Sequence, residues 1–152
     1  YVLYNKPYYS IGFANISGGY EIRNPYFKGC MGEKNISRIA GGIDSWLKVC
    51  CIFEGFMDYL SYLTLLKRNN FHVCIRYPTD YIILNSVNNI KKVQPILDEY
   101  DHIHCYLDND RAGKVATEYI VGIQQTKVVD ESYRYEDYQD LNDYLRGKQL
   151  LK

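Results

Sequence analysis

No stretch of this chain is apolar for long enough to cross a bilayer, and its first residues show no signal-peptide pattern. A soluble, cytoplasmic protein without a membrane partner is expected. Net charge is missing too: Lys and Arg total 18 and Asp and Glu total 18, so the whole-chain field favours neither nucleic acid nor membrane. A local basic patch stays open. The five cysteines (Cys30, Cys50, Cys51, Cys74, Cys105) include no C-x-x-C pair, and three of them sit in apolar strand candidates, where a small buried thiol is the ordinary role. Reduced cysteines fit a cytoplasmic setting. The Gly-rich P-loop and dinucleotide fingerprints are absent. His72, His102 and His104 lie in or beside strand candidates and read as packed or exposed side chains, which leaves little support for a Ser-His-Asp or Cys-His site.

Tyrosine is what the chain has in excess, 17 residues against a single Trp. A compositional bias explains this more simply than a surface for stacking bases. With 152 residues, one domain, or one domain plus a small subdomain, can bury a substantial core. A start at Tyr1 and an end at Lys152 without an obvious tail lead us to expect an excerpt from a longer polypeptide.

Residues 8–28 read as a β-hairpin, because Tyr9, Ile11 and Phe13 alternate before Ser17-Gly18-Gly19 and Tyr20 and Ile22 alternate after it. Asn24-Pro25 and Gly29 to Gly32 break that pattern, and Gly41-Gly42 marks a second break before Trp46. A boundary is expected between a small subdomain, 1–45, and a second unit, 46–152. From Trp46 onward strand and helix signals alternate, which argues for βαβ units and a mainly parallel sheet. Strands are expected over 47–53, 81–84, 103–107 and 126–129. Helical stripes follow them at Met57, Leu60 and Leu63, at Ile90 to Tyr100 with Pro95 shifting or kinking the helix, and at Ala112 to Ile123. Asp140 opens a last helix with Leu141 and Leu145 on one face.

Two acidic clusters stand directly after apolar strands: Glu54-Gly55-Phe56-Met57-Asp58 after Val49 to Phe53, and Asp108-Asn109-Asp110-Arg111-Ala112-Gly113 after Ile103 to Leu107. Like charges gathered at strand ends raise one another's pKa, so such a site calls for a divalent cation, Mg²⁺ or Mn²⁺. Right-handed crossovers bring successive strand ends to one edge of a parallel sheet, so Glu54 and Asp108 face each other if their strands are neighbours. Asp58 then sits one helical turn along, Asp110 points near the same place, and Gly113 with the helix after it offers N–H groups to a phosphate oxygen. Taken singly, Asp110 and Asp140 are ordinary helix N-caps. An EF-hand is excluded because its twelfth position, counted from Asp108, is Tyr119. A haloacid-dehalogenase-type phosphatase fits poorly, because Ala112 occupies the place of its Thr or Val.

These clusters, followed by Gln139-Asp140-Leu141-Asn142-Asp143, resemble the three motifs of the TOPRIM domain of bacterial DNA primases and primase-helicases over residues 46–147. The pattern also resembles shorter primase-like proteins of mobile elements. Ile11-Gly12-Phe13, Gly18 to Asn24 and Tyr26 to Gly29 are similar to the small basic subdomain that precedes TOPRIM in primases. The resemblance implies an α/β fold with a mainly parallel, Rossmann-like sheet flanked by helices, preceded by a β-hairpin-containing subdomain. It implies Glu54, supported by Asp58, as the acid/base or metal-binding residue, Asp108 and Asp110 as Mg²⁺ ligands, and Asp140 with Asp143 as the rest of an acidic rim. Arg23, Lys28, Lys34 and Arg111 would meet nucleotide, template or phosphate.

The implied function is primer synthesis in DNA replication: metal-dependent joining of ribonucleoside triphosphates on single-stranded DNA, with a helicase as possible partner. Alternatives on the same fold are strand cleavage of the nuclease or topoisomerase kind and a non-catalytic nucleic-acid-binding module. Two departures stand out. Gln139-Asp140 replaces the usual Lys-Asp of the last motif, and neither the zinc-binding module nor the helicase part of many primases is present in the sequence.

Overall fold

The structure, a computed structural model, describes residues 2, 3, 5–42, 44–78 and 80–151. Two short strands, β1 (Val2–Leu3) and β2 (Lys6–Pro7), pair antiparallel at the N-terminus. A three-stranded antiparallel sheet follows, in the order β3 (Ile11–Ala14), β4 (Tyr20–Asn24) and β5 (Phe27–Met31). The expected hairpin is therefore the first half of a meander. Asn24-Pro25 does not end it: Asn24 pairs with Phe27 across a two-residue turn, and the Asn24 side chain accepts the Tyr26 N–H at 2.9 Å. At the first turn Gly18 takes φ +77°, and Asn15 closes the loop by accepting the N–H groups of Ser17 and Gly19 at 3.0 Å each.

The second sheet has five strands in the order β10-β9-β7-β8-β6. Four of them, β7 (Val49–Phe53), β8 (Asp80–Ile83), β9 (His102–Tyr106) and β10 (Val128–Asp130), run parallel. The fifth, β6 (Ser37–Ala40), is an antiparallel edge on β8, so the sheet takes one strand from the N-terminal side of residue 45. Helices α1 (Phe56–Lys67), α2 (Ile90–Leu97), α3 (Arg111–Gln124) and α4 (Leu141–Arg146) flank the sheet. Pro95 lies inside α2, two residues before its end, with a 3₁₀ turn (Val87–Asn89) leading in. The α/β architecture with a mainly parallel sheet thus follows the strand–helix alternation of the sequence.

β7 runs through the middle, and Cys50, Cys51, Ile52 and Phe53 are fully buried, which is why that run carries no charge. One face packs Ile52, Ile82, Ile103 and Leu107 under Val93, Leu97, Ala116 and Ile120 of α2 and α3. The other is aromatic: Phe53, Tyr59, Tyr62, Tyr81, Tyr106 and Tyr135 pack together with Phe56 and Leu65. The tyrosine surplus is thus partly a core device. Tyr106 and Tyr62 donate their hydroxyls to Val73 O (2.8 Å) and Ile75 O (3.2 Å), which pins the 70–77 segment to the sheet while keeping the phenols satisfied. Among the described residues all five cysteines are free thiols, four of them buried, and no helix is long and apolar enough to cross a membrane.

Candidate active site

Strand order places the site. The chain passes from β7 through α1 to β8 on one side, then through α2 to β9 on the other, so the crossovers diverge at the C-terminal end of β7. Crevices of this kind are where open α/β sheets take ligands. β7 and β9 are direct parallel neighbours with Phe53 opposite Tyr106, so Glu54 and Asp108 lie just beyond the last pairs of adjacent strands. The condition on which the sequence reading depended is met.

Glu54, Asp58, Asp108 and Asp140 line one cavity of about 60 Å³, together with Glu21, Arg23 and Lys28 from the meander and Asn85 from the end of β8. Burial, with Glu54 as the leading neighbour, pushes Asp108 up to about 8. Asp58 rises to about 7, through burial and then the charge of Asp140, against the Asn142 N–H that donates to its Oδ1 at 3.2 Å. Glu54 is raised by burial and by Asp110, while Lys28 and the Asp108 backbone N–H favour its charged form. Asp140 is raised chiefly by burial, with its hydrogen bond from the Asp143 N–H (2.6 Å) opposing. Glu54 Oε2 is buried and has no hydrogen-bond partner among the described residues. A carboxylate oxygen kept from water and from every donor is a large electrostatic cost, and a hard divalent cation relieves it. The donor set therefore suits Mg²⁺ or Mn²⁺. Among the described residues no three His, Cys, Asp or Glu side chains are already gathered around a single ion position, so bound water or other oxygens would complete a shell.

The other expected residues fall into different places. Asp110 caps α3, accepting the Gly113 N–H at 2.8 Å, and its second oxygen accepts from Gln139 at 3.3 Å. Asp140 caps α4 while still facing the cavity. Asp143 turns toward Lys148 (3.5 Å) and Arg146 (4.0 Å), away from the cavity lining. Lys34 lines an adjoining pocket of about 350 Å³ with Lys28, Glu21, Glu54 and Asn85. Arg111 opens α3 and borders an apolar groove with Val87, Val115 and Tyr119.

Sequence reading overlooked the groups that hold the second acidic loop. The Asn109 amide nitrogen lies 2.9 Å from Tyr138 O, 3.0 Å from Tyr135 O and 3.3 Å from Ser132 O, and the Asn109 N–H donates to Gln139 O at 2.7 Å. Tyr135 donates its hydroxyl to Leu107 O at 2.8 Å, next to Asp108. Together they tie the Asp108 loop to the segment that carries Asp140. Gly113 allows the closest approach: a Cβ there would stand 2.1 Å from Asp108 O and 2.9 Å from Asp108 N. Gly113→Ala must displace the Asp108 backbone, so divalent-ion affinity, read by calorimetric titration, is expected to fall by roughly 10–100-fold while circular dichroism stays native. Unchanged affinity would show that Asp108 placement does not control the site.

The sequence profile of the Toprim-like family matches residues 51–145. The chain belongs to the Toprim-like family. A second profile, of a domain of unknown function, covers residues 1–32. Comparison with curated proteins gives no match. Among solved structures, this Toprim-like chain is similar to the crystal structure of the primase fragment of the bacteriophage T7 primase-helicase protein, with a TM-score of 0.62 at 18% identity over 91% of this chain and 58% of that chain. It is also similar to a structure of bacteriophage T7 lagging-strand DNA polymerase interacting with primase domains of two gp4 subunits bound to an RNA/DNA hybrid and dTTP. There the TM-score is 0.59 at 16% identity, over 91% of this chain and 70% of that chain. At these identities the likeness is one of fold, and the chain spans 58% of the first of these relatives.

Proposed function

We propose that this Toprim-like chain is the catalytic core of a primase-type nucleotidyltransferase, joining ribonucleoside triphosphates on a single-stranded DNA template. The single observation that carries the reading is the cavity in which Glu54, Asp58, Asp108 and Asp140 from the sheet edge meet Arg23 and Lys28 from the meander. Carboxylates and cationic side chains lining one cavity suit a substrate that brings both metal ions and phosphates.

A divalent ion held by Glu54 and Asp108 would supply charge neutralisation for the triphosphate and a lowered pKa for the attacking hydroxyl. Asp58, anchored to the start of α4, and Asp140, at its cap, fix the acidic rim from below. Burial and the charge of Asp110 raise the pKa of Glu54, against Lys28, which makes its carboxylate a stronger proton acceptor than a free glutamate. Arg23 and Lys28 orient phosphate oxygens. Beside the cavity runs a groove of about 750 Å³, bordered by Tyr9, Arg23, Met57 and Arg146, and the Tyr9 ring is 88% exposed. A cationic groove with a free aromatic face suits a single strand, whose phosphates meet the arginines and whose bases stack. A helicase as partner, and a place in the replication of a mobile element, extend the same reading.

The experiment is ribonucleotide incorporation on single-stranded DNA with Mg²⁺ or Mn²⁺, by this chain and by a longer polypeptide carrying it, wild type against Glu54→Gln. Template-dependent products that Glu54→Gln abolishes are expected. Nicking of supercoiled DNA without incorporation would favour strand cleavage, and DNA binding untouched by the variant with no turnover would favour a binding module.

A further inference from the structure

Asn85 presents a feature that the carboxylates leave unexplained. It lies just beyond β8, and the Leu84 N–H before it donates to Phe53 O at 2.9 Å, which carries the β7–β8 pairing to the level of Glu54. Its φ of +61° belongs to the left-handed region, which Asn tolerates better than most residues. The amide nitrogen is committed elsewhere, donating to Asn35 O at 2.9 Å and Ser37 Oγ at 3.0 Å. Those two bonds settle which end of the amide is which. Among the described residues Oδ1 is left with no partner, although Asn85 is only 7% exposed. A buried carbonyl without a donor carries an uncompensated desolvation cost.

Glu54 Oε2 is in the same condition, and both residues line the cavity of about 60 Å³. Two lone acceptors cannot satisfy each other. A group that satisfies both must bring positive charge or donated hydrogens. Lys28 borders the same cavity and favours the charged form of Glu54, yet both oxygens remain unpaired. The volume suits an ion with a few waters and is far too small for a nucleoside. Since among the described residues no three Asp, Glu, His or Cys side chains are placed to hold one ion, a hard cation here needs other oxygens.

We propose that Asn85 supplies a neutral oxygen ligand, through Oδ1, to the divalent cation that Glu54 binds. This rests on the metal-dependent reading of the site and adds a ligand to it. The neutrality has a physical purpose: another carboxylate in a cavity where burial and like charge already raise Asp58 and Asp108 would make the metal-free site harder to ionise. An amide oxygen adds coordination without adding charge.

The test is Mn²⁺ binding to this chain, followed by the electron paramagnetic resonance signal of free Mn²⁺, for wild type, Asn85→Gly, Asn85→Ala, Asn85→Asp and Asp108→Ala. Glycine fits the positive φ, so Asn85→Gly removes the oxygen without backbone strain. A loss of about tenfold or more in Mn²⁺ affinity is expected for Asn85→Gly and Asn85→Ala, with native circular dichroism, and wild-type or tighter binding for Asn85→Asp. If either oxygen-free variant folds and binds Mn²⁺ as the wild type does while Asp108→Ala loses it, the Asn85 ligand is overturned and the metal site stands. If the wild type itself binds no Mn²⁺, both are overturned. Should both oxygen-free variants unfold, weakened binding by Asn85→Asp overturns the proposal.

Discussion

Asp108→Asn is expected to make the metal-free protein more stable, by on the order of 2 kcal/mol at pH 9, and to leave stability almost unchanged at pH 4. Burial and the charge of Glu54 lift the folded-state pKa of Asp108 to about 8, whereas an unfolded aspartate titrates near 3.9. Between those values the folded protein holds a proton that the unfolded chain has released. The native state binds more protons, so stability falls as pH rises through that window. The full difference would amount to roughly 6 kcal/mol, but Asp108 is only half-buried and water screens part of it. Asparagine has nothing to ionise and escapes the decline. In a chain of this size about 2 kcal/mol raises Tm by roughly 4–8 °C. Saturating Mg²⁺ or Mn²⁺ should reverse the order, because an ion at 100 times its Kd stabilises the wild type by about 2.7 kcal/mol and the variant by less. Thermal melts at pH 4 and pH 9, with and without the ion, check this. A variant that is less stable than wild type at pH 9 without metal would show that Asp108 carries no electrostatic load.

Glu54→Gln is expected to lower ribonucleotide incorporation by roughly 10²–10⁴-fold, the range for removal of a positioned acid/base group. The substitution keeps the shape of the side chain and removes its charge. It leaves Arg23, Lys28 and Arg146 in place, so affinity for single-stranded DNA should hold and still fall with salt, as phosphate contacts release counterions. Separation of turnover from binding distinguishes a catalytic glutamate from a structural one. Equal loss of both would place Glu54 in the fold's support, and retention of both would leave the acids without a catalytic part.

The strand-end acids could be read from sequence because the signal is local: a charged residue directly after an apolar run has one way to lie in a parallel sheet. Adjacency of β7 and β9 was not local. It depends on the crossovers diverging around β7, which the alternation of elements allows but does not dictate. Asp110 and Asp140 show the limit of a motif, since the same spacing serves a helix cap and an acidic rim, and in the fold Asp140 does both while Asp110 caps α3 beside Gln139. Asn85 has the same local signature as Glu54, a polar residue ending the run Tyr81 to Leu84, but without a charge that signature does not mark a site. Asn109 was invisible for a different reason. Its partners are backbone carbonyls of residues 132, 135 and 138, which only the folded loop brings together. The tyrosines had no periodic signature either, and their packing into one face of the sheet became legible only with the strand order.

The central claim is that Glu54 and Asp108, from neighbouring strand ends, close on one shared divalent ion. Crystals of this chain grown with Mn²⁺ and measured at the manganese absorption edge test it most directly. A single anomalous peak in the cavity, within coordination reach of both Glu54 and Asp108, is the expected result. Peaks that engage the two carboxylates separately, or none in the cavity at saturating Mn²⁺, would contradict it.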